Sequence, residues 1–164
     1  MRHLIVGLTV VELLIVVALV AILAGVGATQ FNFGGVATRQ AAQTLSSAVN
    51  RARIEAIRSN GTAGLVIEAA GTSSTSGVLR VCRDVDVAGG LACPADLGDP
   101  DYVYVLDFAD GDLGRAQLID SGAIFFDRRG VMRNPAETTI RIRDRAGGNE
   151  RTVVIAATGR AVIQ

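Results

Sequence analysis

From Leu4 to Ala28 the chain is apolar except for Thr9 and Glu12, and Leu13 to Ala28 carries no polar side chain. Read as a helix, Leu8 to Ala28 is about 31 Å long at 1.5 Å per residue, which matches a bilayer core of about 30 Å. Beyond Phe33 the pattern changes. Between Ala37 and Ser59, apolar residues recur at spacings of three or four: Ala41, Leu45, Ala48, Val49, Ala52, Ala56 and Ile57. Arg39, Gln43, Ser47, Asn50, Arg51 and Arg58 fall opposite, the period of an amphipathic helix. The mostly Ala face suits close packing against a sheet. Asn60-Gly61 supplies a left-handed stop, with Arg58 near the negative end of the helix dipole. A helix running unbroken from Leu8 to Ser59 would be about 78 Å long, but Gly34-Gly35 is a weak point where it is expected to break.

The remainder reads as short strands between Gly, Pro, Asp and Ser clusters: Ala63–Glu68, Val78–Arg83, Tyr102–Leu106, Ala116–Ile119, Ala123–Phe126, Thr139–Arg143, Thr152–Ala157 and Arg160–Ile163. Thr139 to Arg143 alternates with period two, the pattern of a half-buried antiparallel strand. Thr158-Gly159 makes a tight turn, and the run Gly71 to Gly77 reads as a flexible hairpin loop.

Composition narrows the chemistry. The 164 residues carry 16 basic and 16 acidic side chains, for zero net charge, and every base is Arg. With no Lys and His3 as the single His, no Ser-His-Asp triad, Cys-His pair, Schiff-base lysine, Walker lysine or His-ligated metal site assembles in the remainder of the chain. The expectation is a non-enzymatic protein with no cofactor and no metal.

Arg2, His3 and the terminal amine precede the apolar run, which places that end in the cytoplasm and exports everything after Phe33. The alternative is an ordinary secretory signal peptide. Against it, the run is long for such a segment and flows into a helical pattern with no clear Ala-x-Ala site. Glu12 also argues against it, because an unpaired acid inside a membrane helix costs about 2.5–3.5 kcal/mol and calls for a partner. A cut just before Leu8 would supply one, a new ammonium able to pair with Glu12 of a neighbouring copy.

The residues Gly7-Leu8-Thr9-Val10-Val11-Glu12, followed by Leu13-Leu14-Ile15-Val16-Val17-Ala18, resemble the class III signal of type IV pilins and type II secretion pseudopilins. The resemblance implies that prepilin peptidase cuts after Gly7 and methylates Leu8, and that Glu12 guides subunit docking. Many members carry Pro where this chain has Thr29, so any kink there falls to Gly25 and Gly27. The stretch from Leu45 to Asn60, the run Ile124 to Gly130, and Thr158-Gly159-Arg160 resemble the minor-pilin group of GspH, FimU and FimT. That implies a minor subunit rather than the abundant pilin.

Cys82 and Cys93 lie in the exported part with ten residues between them, Gly89-Gly90 included, where an oxidising compartment favours a disulfide worth about 2–3 kcal/mol. Eight Asp crowd 84–112 (Asp84, Asp86, Asp96, Asp99, Asp101, Asp107, Asp110, Asp112) with no base among them. Their spacing fits solvated loops rather than a Ca²⁺ loop. From Arg128 onward eight Arg face Glu137, Asp144 and Glu150. Arg141, Arg143 and Arg145 would project from one strand face, with Arg128, Arg129, Arg133, Arg151 and Arg160 close by. Arg forks suit phosphates, so duplex DNA is one candidate partner. FimT-like relatives bind DNA with a Gly-Arg-x-Arg signature, of which Gly159-Arg160-Ala161-Val162 keeps one Arg. The other reading is the solvent face of an edge strand, its Arg paired to acids or keeping strands of other chains away.

The expected architecture is α+β: a leader at 1–7, a membrane and filament-core helix at 8–32, and an extracytoplasmic pilin-like head at 33–164, with helix 37–59 packed on an antiparallel sheet within 62–164. The partners this implies are prepilin peptidase, other pilin or pseudopilin subunits and the bacterial inner membrane, crossed once. A pilus, a type II secretion system and a competence system would all use the same residues.

Overall fold

The computed structural model describes residues 9–30, 33–83, 85, 93–94, 101–133 and 135–164, with side chains for all but 26–30, 33, 34 and 112. The leader and the junction Phe31-Asn32 lie outside them. The chain divides into two compact units, Met1–Phe33 and Gly34–Gln164.

The first unit holds α1 (Val10–Gln30), 21 residues long. Its large aliphatic side chains from Val10 to Leu23 are 53–75% exposed. Among the described residues no helix is long and apolar enough to cross a membrane.

The second unit is built on α2 (Phe33–Ser59) and eight strands: β1 (Ala63–Glu68), β2 (Val78–Cys82), β3 (Tyr102–Asp107), β4 (Ala116–Leu118), β5 (Gly122–Phe126), β6 (Thr138–Asp144), β7 (Glu150–Ile155) and β8 (Ala161–Ile163). Every expected strand is present, with ends moved by no more than two residues. The strands make two four-stranded antiparallel sheets rather than one, in the orders β3-β2-β1-β5 and β4-β6-β7-β8. A short 3₁₀ turn at Gly111–Leu113, without a sequence signal, joins β3 to β4.

One core joins the pieces. The α2 stripe Ala41, Leu45, Ala48, Val49, Ala52 and Ala56 packs with Leu65, Ile67 and Leu79 of the first sheet and Leu118, Ile140 and Ile155 of the second. Small side chains on α2 let its backbone approach both sheets, and removing this apolar area from water is the main stabilising term. Two expectations change here. Gly34-Gly35 does not precede the helix but lies within α2, which is described from Phe33. Ile57 is not in the core but 52% exposed, because the buried stripe runs through Ala52 and Ala56 and leaves the next position at its margin.

The helix stop is as expected. Asn60 takes φ +51°, its N–H donates to Ile57 O at 3.3 Å, and Gly61 N–H donates to Ala56 O at 3.2 Å, the paired bonds of a Schellman cap. The 69–77 connection is a hairpin loop, but it is tied down. Ala70 N–H donates to Leu118 O and Leu118 N–H to Ser76 O, both at 2.9 Å, while Ser121 Oγ accepts from Ala69 N–H. Gly77 is needed at the end of this loop: φ is +95°, and a Cβ there would lie 2.6 Å from Glu68 O and 2.8 Å from Leu118 Cβ. At Thr158-Gly159 the tight turn forms, with Gly159 N–H on Ala156 O and Ala156 N–H on Arg160 O.

Candidate functional site

At the start of α1, Thr9 stands as N-cap and Glu12 three residues on. Glu12 N–H donates to Thr9 Oγ1 at 3.2 Å, while Thr9 N–H and the Thr9 hydroxyl both donate to Glu12 Oε2, at 3.3 and 3.2 Å. This is a capping box, which satisfies two orphan donors of the first turn and fixes the carboxylate there. The carboxylate sits at the positive end of the helix dipole, where negative charge is favoured. Glu12 therefore already has a partner within its own chain. Oε1 has no bond among the described residues and keeps acceptor capacity for a donor from elsewhere. Sequence reasoning found Glu12 and missed Thr9, although the Thr-x-x-Glu spacing before an apolar run is the signal of such a box. Gly7 and Leu8 lie outside the described residues.

In the second unit Cys82 and Cys93 are joined as a disulfide, with Cα atoms 5.7 Å apart. Cys82 ends β2 on the face away from the main core. There Cys82, Val85 and Phe125 are buried, with Val66, Cys93 and Tyr102 packed on them. The bridge thus anchors the β2–β3 connection to a small second core. The Tyr102 hydroxyl donates to Pro94 O beside it.

The arginines divide into two sets. Arg141 and Arg143 share the exposed face of β6, opposite Ile140, Ile142 and Asp144, as the alternation requires. Acids nearly neutralise that face. Asp120 takes Arg141 in a fork, Nε to Oδ2 at 2.9 Å and Nη2 to Oδ1 at 2.8 Å, and also accepts the Arg141 N–H. Hydrogen bonding from the Arg141 side chain, against a smaller cost of burial, holds the Asp120 carboxyl below its ordinary value. The same bond raises the Arg141 guanidinium. Glu150, opposite on β7, takes both Nε and Nη2 of Arg143.

Arg145 lies past the end of β6, its Nη1 donating to Gly114 O at 3.2 Å. Arg160 precedes β8, whose register sets Ala161 beside Ile155 and hence toward Thr138, the opposite end of β6 from Arg143. The four candidate arginines therefore do not form one stripe. Nor is β6 an edge strand, since β4 and β7 flank it; the edges of that sheet are β4 and β8. Pairing with neighbouring acids does hold for Arg141 and Arg143.

The second set surrounds the β5–β6 connection. Asp127 Oδ1 accepts N–H groups of Arg129 and Val131, both at 2.9 Å, and Gly130 N–H donates to Asp127 O at 2.8 Å. Chiefly the Val131 N–H, then that of Arg129, keeps the Asp127 carboxyl below its usual range, with Arg129 and Arg133 adding attraction. Gly130, at φ +71°, completes the turn against α2; a Cβ there would meet Ile57 Cδ1 at 2.8 Å and Arg53 Nε at 3.1 Å. The turn holds out Arg128, Arg129 and Arg133 beside a cavity of about 370 Å³ that also touches Asn60, Gly61 and Thr62.

Of the acidic run, Asp107 accepts from the Ser74 hydroxyl and from Ala109 N–H. Among the described residues no group of three or more His, Cys, Asp or Glu is placed to hold a metal ion.

Residues 41–159 match the model of the type II transport protein GspH family. The chain is 30% identical to the pilin-like protein PilA1 of Thermus thermophilus, over 96% of its own length and 97% of that protein's. Two crystal structures of the type IV minor pilin FimU of Pseudomonas aeruginosa share the fold, with TM-scores of 0.51 and 0.52 at 18% identity. Each superposition covers 77% of this chain, with 91% and 87% of FimU.

Proposed function

The chain belongs to the type II transport protein GspH family as a minor pilin- or pseudopilin-type subunit, and from that premise we propose how it is matured and assembled. Prepilin peptidase cuts between Gly7 and Leu8 and methylates the new Leu8 amine. Residues 8–32 hold the subunit in the inner membrane, the head stands outside the cytoplasm, and α1 then passes from lipid into the shared core of a pilus or pseudopilus.

The observation that carries this reading is α1 itself: apolar on every side, exposed along its described length, with its single charge fixed at the first turn. Lipid tails are as apolar as these side chains, so helices associate in membranes by close packing. Ala18, Ala21, Ala24 and Gly25 supply the small surfaces for that. The capping box lowers the cost of carrying Glu12 in the membrane, and Oε1 receives the Leu8 ammonium of an adjacent subunit, which sets the axial register.

Mass spectrometry of the native product is the direct test. A first residue of methylated Leu8 is expected; a chain beginning at Met1, or beyond Ala28, overturns the proposal. Glu12→Ala should insert in membranes normally and fail to enter filaments, and normal incorporation would sink the register role.

The alternative is a DNA-binding minor pilin using Arg141, Arg143, Arg145 and Arg160. The ion pairs of Arg141 and Arg143 and the separation of Arg160 weigh against it. It requires a steeply salt-dependent complex with duplex DNA that is lost when these four residues become Glu.

A further inference from the structure

We propose that the C-terminal end of α2 and the β5–β6 turn form a docking surface for a neighbouring subunit, one presenting an apolar side chain ringed by carboxylates. The proposal rests on the filament reading above and adds a contact made by the head. Three large aliphatic side chains lie open here: Ile54 at 62%, Ile57 at 52% and Val131 at 56% exposure. Ile54 and Ile57 are three residues apart, hence neighbours on one helix face. Ile57 lies against Gly130, so the stripe continues from the helix onto the turn that carries Val131.

Around this stripe stand Arg53, Arg58, Arg128, Arg129 and Arg133. Among the described residues none of the five is in an ion pair, whereas Arg80, Arg83, Arg141 and Arg143 each have an acid. Two carboxylates lie close, Asp127 and Glu55, too few to offset five guanidinium groups, so the rim stays net positive. Asp127 accepts two backbone N–H groups with one oxygen, and Glu55 is buried. The result is an apolar centre with a cationic edge and a cavity in that edge.

An apolar centre with Arg at its margin is the composition of a protein interface. Nucleic acid would use the arginines and leave three aliphatic side chains in water. A partner surface of opposite pattern, acids around one apolar residue, satisfies both parts and gains in approach rate from the charge. Ile57, misplaced by its helical period as a core residue, has its role here.

The test uses the full chain in cells making the whole assembly system, with a photo-crosslinking amino acid at position 57 or, separately, at 131. Crosslinks are expected to a pilin-type subunit, within a peptide rich in Asp or Glu. Yield should fall about tenfold in the triple variant R128E/R129E/R133E, as like charges meet across the contact. It should return when the crosslinked acids of the partner are changed to Arg. Because the triple change could disturb the turn, R53E/R58E on the helix side serves as a second variant, and disulfide formation in each reports a folded head. Crosslinks to lipid or nucleic acid alone, or to protein with a yield indifferent to both reversals, overturn the proposal. If the crosslink forms but the chain is missing from sheared filaments, the filament reading falls and the docking surface stands. Incorporation without any crosslink at either position overturns the docking surface alone.

Discussion

The two helices solve the same problem in opposite ways. In α2 the buried apolar residues are mostly small and form one stripe under two sheets, with Ala41, Leu45, Val49, Ala52 and Ala56 fully enclosed, while Ile54 and Ile57 lie open. In α1 they are large, spread around the whole circumference and open along their length. The dry stripe of the second helix is covered within its own unit, while the described side chains of the first are open all round. Only α2 shows amphipathic spacing, because only α2 has one wet side and one dry side.

The largest way to break this contrast is to damage the dry side of α2. Leu45→Ala should cost the head about 2–5 kcal/mol, seen as a lower denaturant midpoint. The same truncation at Leu14 of α1 should leave that midpoint unchanged and act only on filament incorporation. Next comes the disulfide. Replacing Cys82 and Cys93 by Ser should cost about 2–3 kcal/mol, with hydrogen exchange rising in β2 and β3 while α1 is unaffected.

On the α1 side, Thr9→Val removes the cap at a cost of about 1 kcal/mol in helix stability. Incorporation should drop, and Thr9→Ser should restore it. A loss that Ser does not rescue would show that the hydroxyl cap alone does not carry the effect. The smallest effect is a sharpening by pH. Asp120 and Asp127 are held below their ordinary carboxyl value in the folded head, so they bind fewer protons folded than unfolded. Their contribution is complete above the unfolded value of about 3.9 and is lost as pH falls through the lower folded values. Asp127→Asn should flatten the acid limb of the head's stability curve; an unchanged limb would show that the turn draws nothing from that charge.

Much of this was legible in the residues. The alternation of Thr139 to Arg143 fixes which side chains face out, and the Asn60-Gly61 pair ends α2 where it should, because both rest on local backbone geometry. The resemblance to type IV pilins and pseudopilins was carried by the Gly7-to-Glu12 signal, and that to the minor-pilin group by looser matches in the head. What was not legible depends on partners distant in sequence. The division into two sheets follows from β5 returning to β1, a pairing across more than fifty residues that no local pattern encodes. The neutralisation of Arg141 needs Asp120, brought opposite by the β4–β6 pairing. Ile57 has the right period for the core and the wrong neighbour, since Ala56 already fills the contact. Thr9 was readable in principle and overlooked, its hydroxyl passing for a minor interruption of an apolar run.

The bonds from Ala70 and Ser76 to Leu118 have a consequence for life in a crowd. Strand β4 is a border of its sheet, and a bare border is an invitation for any passing chain to stitch itself on. Here the connection between β1 and β2 already grips Leu118 from both sides, at its N–H and at its C=O. A passing chain therefore finds the Leu118 N–H and C=O already taken and gains no bond from them.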